Sequence, residues 1–127
     1  MNFRKASGAL VAAGLVLAIS ANARAAGEEK TVEGYVLDSA CAFVKNLKKP
    51  VSRECAVACA TAGSPLVLLA DDGTIYWPIS GSVPARGQNT RLLKYAGARV
   101  TATGKVLERG GSRAILIEKI QGMPEKK

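Results

Sequence analysis

The stretch from Arg99 to Ile120 constrains this chain more than any other part of it. Val100, Ala102, Gly104 and Val106 alternate with Arg99, Thr101, Thr103 and Lys105, which is the period-two pattern of a strand with one face turned inward. Glu108 to Ser112 follows with Gly110-Gly111 inside it, and Ala114 to Ile120 is a second β-rich run. Two such runs across a Gly-Gly turn predict a hairpin. Further runs lie upstream. Thr31 to Asp38 is β-branched and alternating, interrupted at Gly34. Leu66 to Ala70 is compact and apolar, and Thr74 to Ile79 is β-rich. Asp71-Asp72-Gly73 between those two is hairpin chemistry, because Asp and Gly tolerate positive φ.

The connections carry helix signals. Ser39 to Val51 reads as a connection ending in Lys48-Lys49-Pro50. Ser52 is a good N-cap for a short helix over residues 53–62, Gly63 suits the C′ position, and Pro65 blocks continuation. Ser80 to Gln88 is a Gly/Pro/Ser loop. Asn89 is placed to cap a helix of one to two turns over residues 90–96, closed by Gly97. The expected strands are 31–38, 65–70, 74–79, 99–107 and 113–120. The chain is therefore expected to be mainly β, a small five-stranded OB-like barrel. A Cys-bearing helix would lie between strands one and two, and a second short helix between strands three and four. Gly104 would permit the bend that closure needs. An open antiparallel sheet with the helices on one face is the alternative.

The first 25 residues read as a secretory signal peptide. Arg4 and Lys5 precede an apolar stretch from Ala9 to Ile19, and Ala23-Arg24-Ala25 offers an A-x-A site with cleavage before Ala26. Ala21-Asn22-Ala23 is a second candidate site. The competing reading is an uncleaved anchor, since the uncharged run from Ala6 to Ala23 just reaches spanning length. Its Ala/Gly content and its processing site favour cleavage. No cysteine lies near that site, which argues against a lipoprotein. The expected organisation is a signal peptide at 1–25 and one OB-like domain at 26–127, periplasmic or extracellular, with no membrane span after cleavage. Loss of Arg4, Lys5 and Arg24 takes the formal net charge from +8 to +5. The remaining basic residues are scattered, which gives solubility rather than a binding patch.

The chain contains no histidine. That excludes a His-based triad, His-ligated zinc, a Rieske centre and a C-x-x-C-H haem site. Nucleic acid is not an expected partner. The domain is exported, and its aromatic supply is thin: Tyr35, Tyr76, Trp77 and Tyr95, some of them needed in the core.

The distinctive feature is a set of three cysteines, in Asp38-Ser39-Ala40-Cys41 and in Glu54-Cys55-Ala56-Val57-Ala58-Cys59. Cys55 and Cys59 are spaced i, i+4, so a helix places both sulfurs on one face. Cys41, beyond the first strand, can fold back over that face. One reading is a disulfide from Cys41 to Cys55 or Cys59, worth about 3 kcal/mol for a loop of this length in an oxidising compartment. Another is a thiolate site for a soft or borderline ion such as Cu(I) or Zn(II), completed by Asp38 or a water. Thiol–disulfide exchange is a third, although the redox C-x-x-C spacing is absent. Asp38 could act as a base towards Cys41 or cap the turn that follows it. All three sulfurs are expected together, at least two of them close enough to bond or to share an ion.

Gly34 to Cys41, Glu54 to Pro65, Asp72-Gly73 and Ala96 to Gly104 together resemble a group of small exported bacterial proteins with a three-cysteine layout and an OB-like segment. The second half is also similar to the bacterial exported OB-fold family. Related sequences often carry a histidine a few residues before the second cysteine, where this chain has Ser52 or a neighbour. The resemblance implies the fold and an exported location, and brings no activity with it.

No catalytic residue is assigned. The leading reading is a small exported binding or accessory domain for a small ligand or a metal, with Cys41, Cys55 and Cys59 as disulfide or metal candidates and Asp38 as an auxiliary ligand. The alternative is a thiol-based oxidoreductase. A docking role through an edge at Tyr76-Trp77-Pro78 comes third.

Overall fold

The computed structural model describes residues 27–45 and 52–124. The stretch expected to be a signal peptide, its expected cleavage site, the Lys48-Lys49-Pro50 cluster and the end of the tail lie outside the described residues. Five strands close into a barrel in the order β1-β2-β3-β5-β4: β1 Glu28–Asp38, β2 Leu66–Ala70, β3 Ile75–Pro78, β4 Arg99–Arg109 and β5 Ser112–Gly122. This is the OB-like barrel expected of the sequence, and the open-sheet alternative is set aside.

Closure depends on β1 serving two neighbours. Its first part pairs with β4, from Glu28↔Val106 to Tyr35↔Arg99, and its last part pairs with β2, from Gly34↔Ala70 to Asp38↔Leu66. Gly34 sits where the two ladders overlap. A Cβ there would lie 2.1 Å from the Leu69 carbonyl oxygen, so only glycine allows the strands to approach this closely. Gly104 plays the matching part in β4. Its missing Cβ would meet the Leu116 carbonyl at 2.0 Å, beside a register shift between Thr103 and Gly104. Such an irregularity bends and twists the strand, which a small barrel needs. A short parallel pairing of Trp77 and Pro78 with Ala114 and Ile115 completes the ring. β3 is therefore not an edge, and the edge expected at Tyr76-Trp77-Pro78 does not exist.

The core follows the alternation. Val32, Val36, Leu68, Val100, Val106 and Ile115 point inward, joined by Ala56 and Ala60 from the Cys-bearing helix. Leu37 and Val67 are register partners on the opposite face, yet both are fully buried. Their cover is a helix absent from the sequence expectation: α1, Ser39–Phe43, which packs against β1 and β2. A strand as uniformly apolar as Leu66 to Leu69 needs both faces covered, at about 1.5–3 kcal/mol for each large side chain buried.

The second helix, α2, spans Arg53–Thr61 with Ser52 as N-cap, its Oγ accepting from Cys55 N–H at 3.2 Å. Gly63 follows with φ +100°. The third, α3, spans Asn89–Leu92 and runs into a 3₁₀ turn at Leu93–Tyr95. Asn89 is not its cap; Gln88 holds that position without a side-chain bond. Arg99 also departs from expectation. It lies on the outward side of β4 but is only 2 % exposed, ion-paired to Asp71 and to Glu33 (3.4 Å), with Nη1 donating to Met123 Sδ at 3.3 Å. Asp71, read as a turn residue, thus also holds this arginine.

Candidate functional site

The cysteine-bearing corner is built where β1 ends. Asp38 is its last residue and is 1 % exposed. Its Oδ1 accepts the Cys41 N–H at 2.9 Å, so the carboxylate caps α1 and fixes the first turn that carries Cys41. Of the two roles weighed for Asp38 beside Cys41, capping is the one seen. Ser39 N–H donates to the Pro65 carbonyl at 2.9 Å, tying the start of α1 to the chain leaving α2. Ser64 N–H donates to the Cys59 carbonyl at 3.1 Å and closes the end of α2.

Asn89 locks these pieces from a distance. Its Nδ2 donates to the Ala60 carbonyl at 3.2 Å and the Ser64 carbonyl at 2.7 Å, while its Oδ1 accepts the Leu66 N–H at 2.9 Å. One side chain therefore satisfies three backbone groups between α2 and β2. The other end of α2 is held by Arg53, whose Nη1 donates to the Lys94 carbonyl at 3.0 Å. In the sequence, Arg53 has no expected role and Asn89 only that of a helix cap. The only signal for Asn89 was its place after a loop, which is equally a capping signal.

These constraints bring Cys41, Cys59 and Asp38 together, with one ligand atom from each within 4.8 Å of the others. Cys41 is buried and Cys59 half-buried, and both are free thiols, as is Cys55. Cys55 lies one turn earlier on α2, half-buried beside Cys59, and is not among the three converging groups. Asp38, expected as an auxiliary ligand, is one of the three, and Cys41 and Cys59 are the two of the expected sulfurs that join it. Asp38 Oδ2 is buried and closes no hydrogen bond of regular geometry, although the Ser64 side chain and the Cys41 thiol both act on the carboxylate as donors.

The electrostatics of the corner are uneven. Burial works to raise the Asp38 pKa, but the Ser64 side chain, the Cys41 N–H and thiol and the Ala40 backbone outweigh it, and the carboxyl sits below its ordinary value. Burial pushes the Cys41 thiol up and the Asp38 charge adds to it, while the Lys45 ammonium opposes both. Cys59 is raised by burial first, then by Asp38 and by the neighbouring Cys55. The corner thus presents a charged oxygen beside two thiols that keep their protons at neutral pH.

No protein family, curated protein or solved structure matches this chain. Its chemistry is therefore read from its own side chains.

Elsewhere, Trp77 stacks on Phe43 with ring centroids 6.0 Å apart and lines two surface grooves. Tyr76 is in the core and the Tyr95 hydroxyl donates to the Ile120 carbonyl at 3.1 Å. No row of exposed rings offers base stacking among the described residues. No helix among them is long and apolar enough to cross a membrane.

Proposed function

We propose that this chain is a small exported binding domain whose working part is the corner formed by β1, α1 and α2. One observation carries the reading: two thiols from separate helices converge on a buried carboxylate whose second oxygen closes no hydrogen bond of regular geometry. Leaving a buried polar atom unsatisfied costs about 1–3 kcal/mol, and more for a charged group. A ligand that satisfies that oxygen recovers the cost on binding. The expectation of export rests on the apolar stretch and A-x-A site at the start of the chain.

The surroundings of Cys41 and Cys59 favour a binding site over an oxidoreductase. Nucleophilic cysteines are activated by a lowered pKa in electropositive surroundings, whereas Cys41 and Cys59 are both raised, each next to a carboxylate. An OB-like barrel is often associated with oligonucleotides, but fold alone does not carry function.

The proximity of Cys41 and Cys59 supports a second reading, in which they form a staple and the corner is purely structural. Native intact-mass analysis and N-terminal sequencing of the chain exported by a bacterial host separate the two. The binding reading expects a chain that begins at Ala26 and carries an added mass released by acid, leaving three free thiols. A chain two hydrogens lighter, with nothing bound, would establish the staple. Recovery of Met1 at the N-terminus would remove the exported location.

A further inference from the structure

We infer that the corner is a site for a borderline divalent ion, Zn(II), held by a carboxylate oxygen of Asp38 and the sulfurs of Cys41 and Cys59. This rests on the binding reading above and specifies its ligand. Three features of the donor set lead to it.

The first is geometry. A tetrahedral zinc with bonds of about 2.3 Å to sulfur and about 2.1 Å to oxygen needs donor atoms roughly 3.6–3.8 Å apart. The three atoms already lie within 4.8 Å of one another, so side-chain movements of about 1 Å close the site. The second is preorganisation. Asp38 is fixed by the bond from Cys41 N–H to Oδ1, and Oδ2 is left buried with no hydrogen bond of regular geometry. Asn89 and Ser52 hold the two ends of the helix that delivers Cys59. A cation that replaces the Cys41 thiol proton beside this carboxylate would give that oxygen a full partner.

The third is the chemistry of the donors. Cu(I) is best served by sulfur alone, and Mg(II) or Ca(II) by oxygen alone. Two sulfurs and one carboxylate form a mixed set that suits Zn(II). Binding converts two thiols to thiolates and releases two protons, so Zn²⁺ faces three negative charges and the bound site carries one. Among the described residues, Lys45 is a cation close enough to Cys41 and Cys59 to offset it. Three protein ligands leave the fourth position to water or to a small anionic or thiol ligand. An open fourth position is the arrangement of zinc sites that act on or exchange a ligand, whereas structural sites are closed by four protein groups. Cys55 stays outside this set, beside Cys59.

The test is a zinc titration of the reduced, metal-free exported chain against a chromophoric chelator, repeated with Cu(I). Cys41→Ser, Cys59→Ser, Cys55→Ser and Asp38→Asn variants are compared with the parent. Asn caps a helix as well as Asp, so Asp38→Asn keeps the fold and removes the charge; thermal unfolding without metal verifies this. The inference expects one Zn(II) per chain, unaffected by Cys55→Ser. Affinity should fall in Cys41→Ser, Cys59→Ser and Asp38→Asn by more than the roughly 10–100-fold that loss of an outer-shell group costs. Cobalt(II) should give thiolate charge-transfer absorption in the parent and lose it in both serine variants. Full zinc affinity in Asp38→Asn, or loss of binding in Cys55→Ser, would overturn the donor set. Tight Cu(I) binding without Zn(II) binding would overturn the inference and leave the binding domain intact. A chain that binds neither ion, and whose exported form holds a Cys41–Cys59 bond, would overturn both.

Discussion

The β4–β5 hairpin and the cysteine corner are made by opposite strategies. In the hairpin, partners run from Arg109↔Ser112 out to Val100↔Gly122, so every contact is reached by extending a local turn. In the corner, three segments, Asp38 with Cys41, Cys59 with Ser64, and Asn89, lie far apart in sequence and meet only in the tertiary fold. The hairpin is held by many interchangeable apolar contacts. The corner is held by a few polar bonds, each made once. A local, redundant region should tolerate most side-chain changes and fail where backbones touch, while a convergent region should be sensitive at single polar atoms.

The largest effect tests the hairpin's weak point. Gly104→Val places a side chain against the Leu116 carbonyl and should cost about 3 kcal/mol or more, read as a lower urea midpoint. Gly110→Ala in the same hairpin has open space around it and carries only the strain of φ +56°, about 1–2 kcal/mol. Equal costs at the two glycines would break the claim that close backbone approach sets the hairpin's tolerance.

Asn89→Ala is the corresponding probe of the corner. It leaves the Leu66 N–H and the Ala60 and Ser64 carbonyls without their shared partner and should cost about 2 kcal/mol. Hydrogen exchange should rise at the end of α2 and the start of β2, with the β4–β5 amides unchanged. Uniform loss of protection over the whole barrel would show that the two regions are not separable.

Asp38→Ala should cost about 1 kcal/mol through the lost cap on α1, while Asp38→Asn should stay near the parent in the reduced, metal-free chain. Thermal unfolding of both variants sharpens the comparison. If Asn is as damaging as Ala, the carboxylate charge, and not the cap, holds the corner together before any ligand binds.

The smallest effect concerns the β2–β3 turn. Asp72 accepts the Thr74 N–H at 2.9 Å, and this bond holds its carboxyl below the ordinary value. A folded-state pKa that is depressed contributes stability that is present above the unfolded value near 4 and is lost as pH falls through the folded one. Asp72→Asn should therefore flatten the loss of stability on acidification, by a small amount because the side chain is exposed. An unchanged pH profile in that variant would assign the acid sensitivity to other carboxylates.

What could be read directly from the residues was what short stretches decide for themselves. Alternation at Val100 to Val106, the Asp-Gly and Gly-Gly turns and the Ser52 cap each act over a few residues, and all stand close to where they were expected. The same holds for the proximity of Cys55 and Cys59 on one helical face, set by the pitch of the helix. The tertiary structure decided the remainder. α1 is five residues long and has no period of its own; it exists because Leu37 and Val67 need cover and Asp38 can cap it. Arg99 is buried because Glu33, Asp71 and Met123 reach it from other segments. Asn89 binds Ala60, Ser64 and Leu66 and does not cap its own helix, because those groups arrive beside it only in the closed barrel. Asp38 was already an expected auxiliary ligand; the exclusion of Cys55 from the converging ligand atoms has the same origin. Spacing along a helix determines which sulfurs share a face, but which of them meets the end of β1 depends on where the barrel lays that helix down.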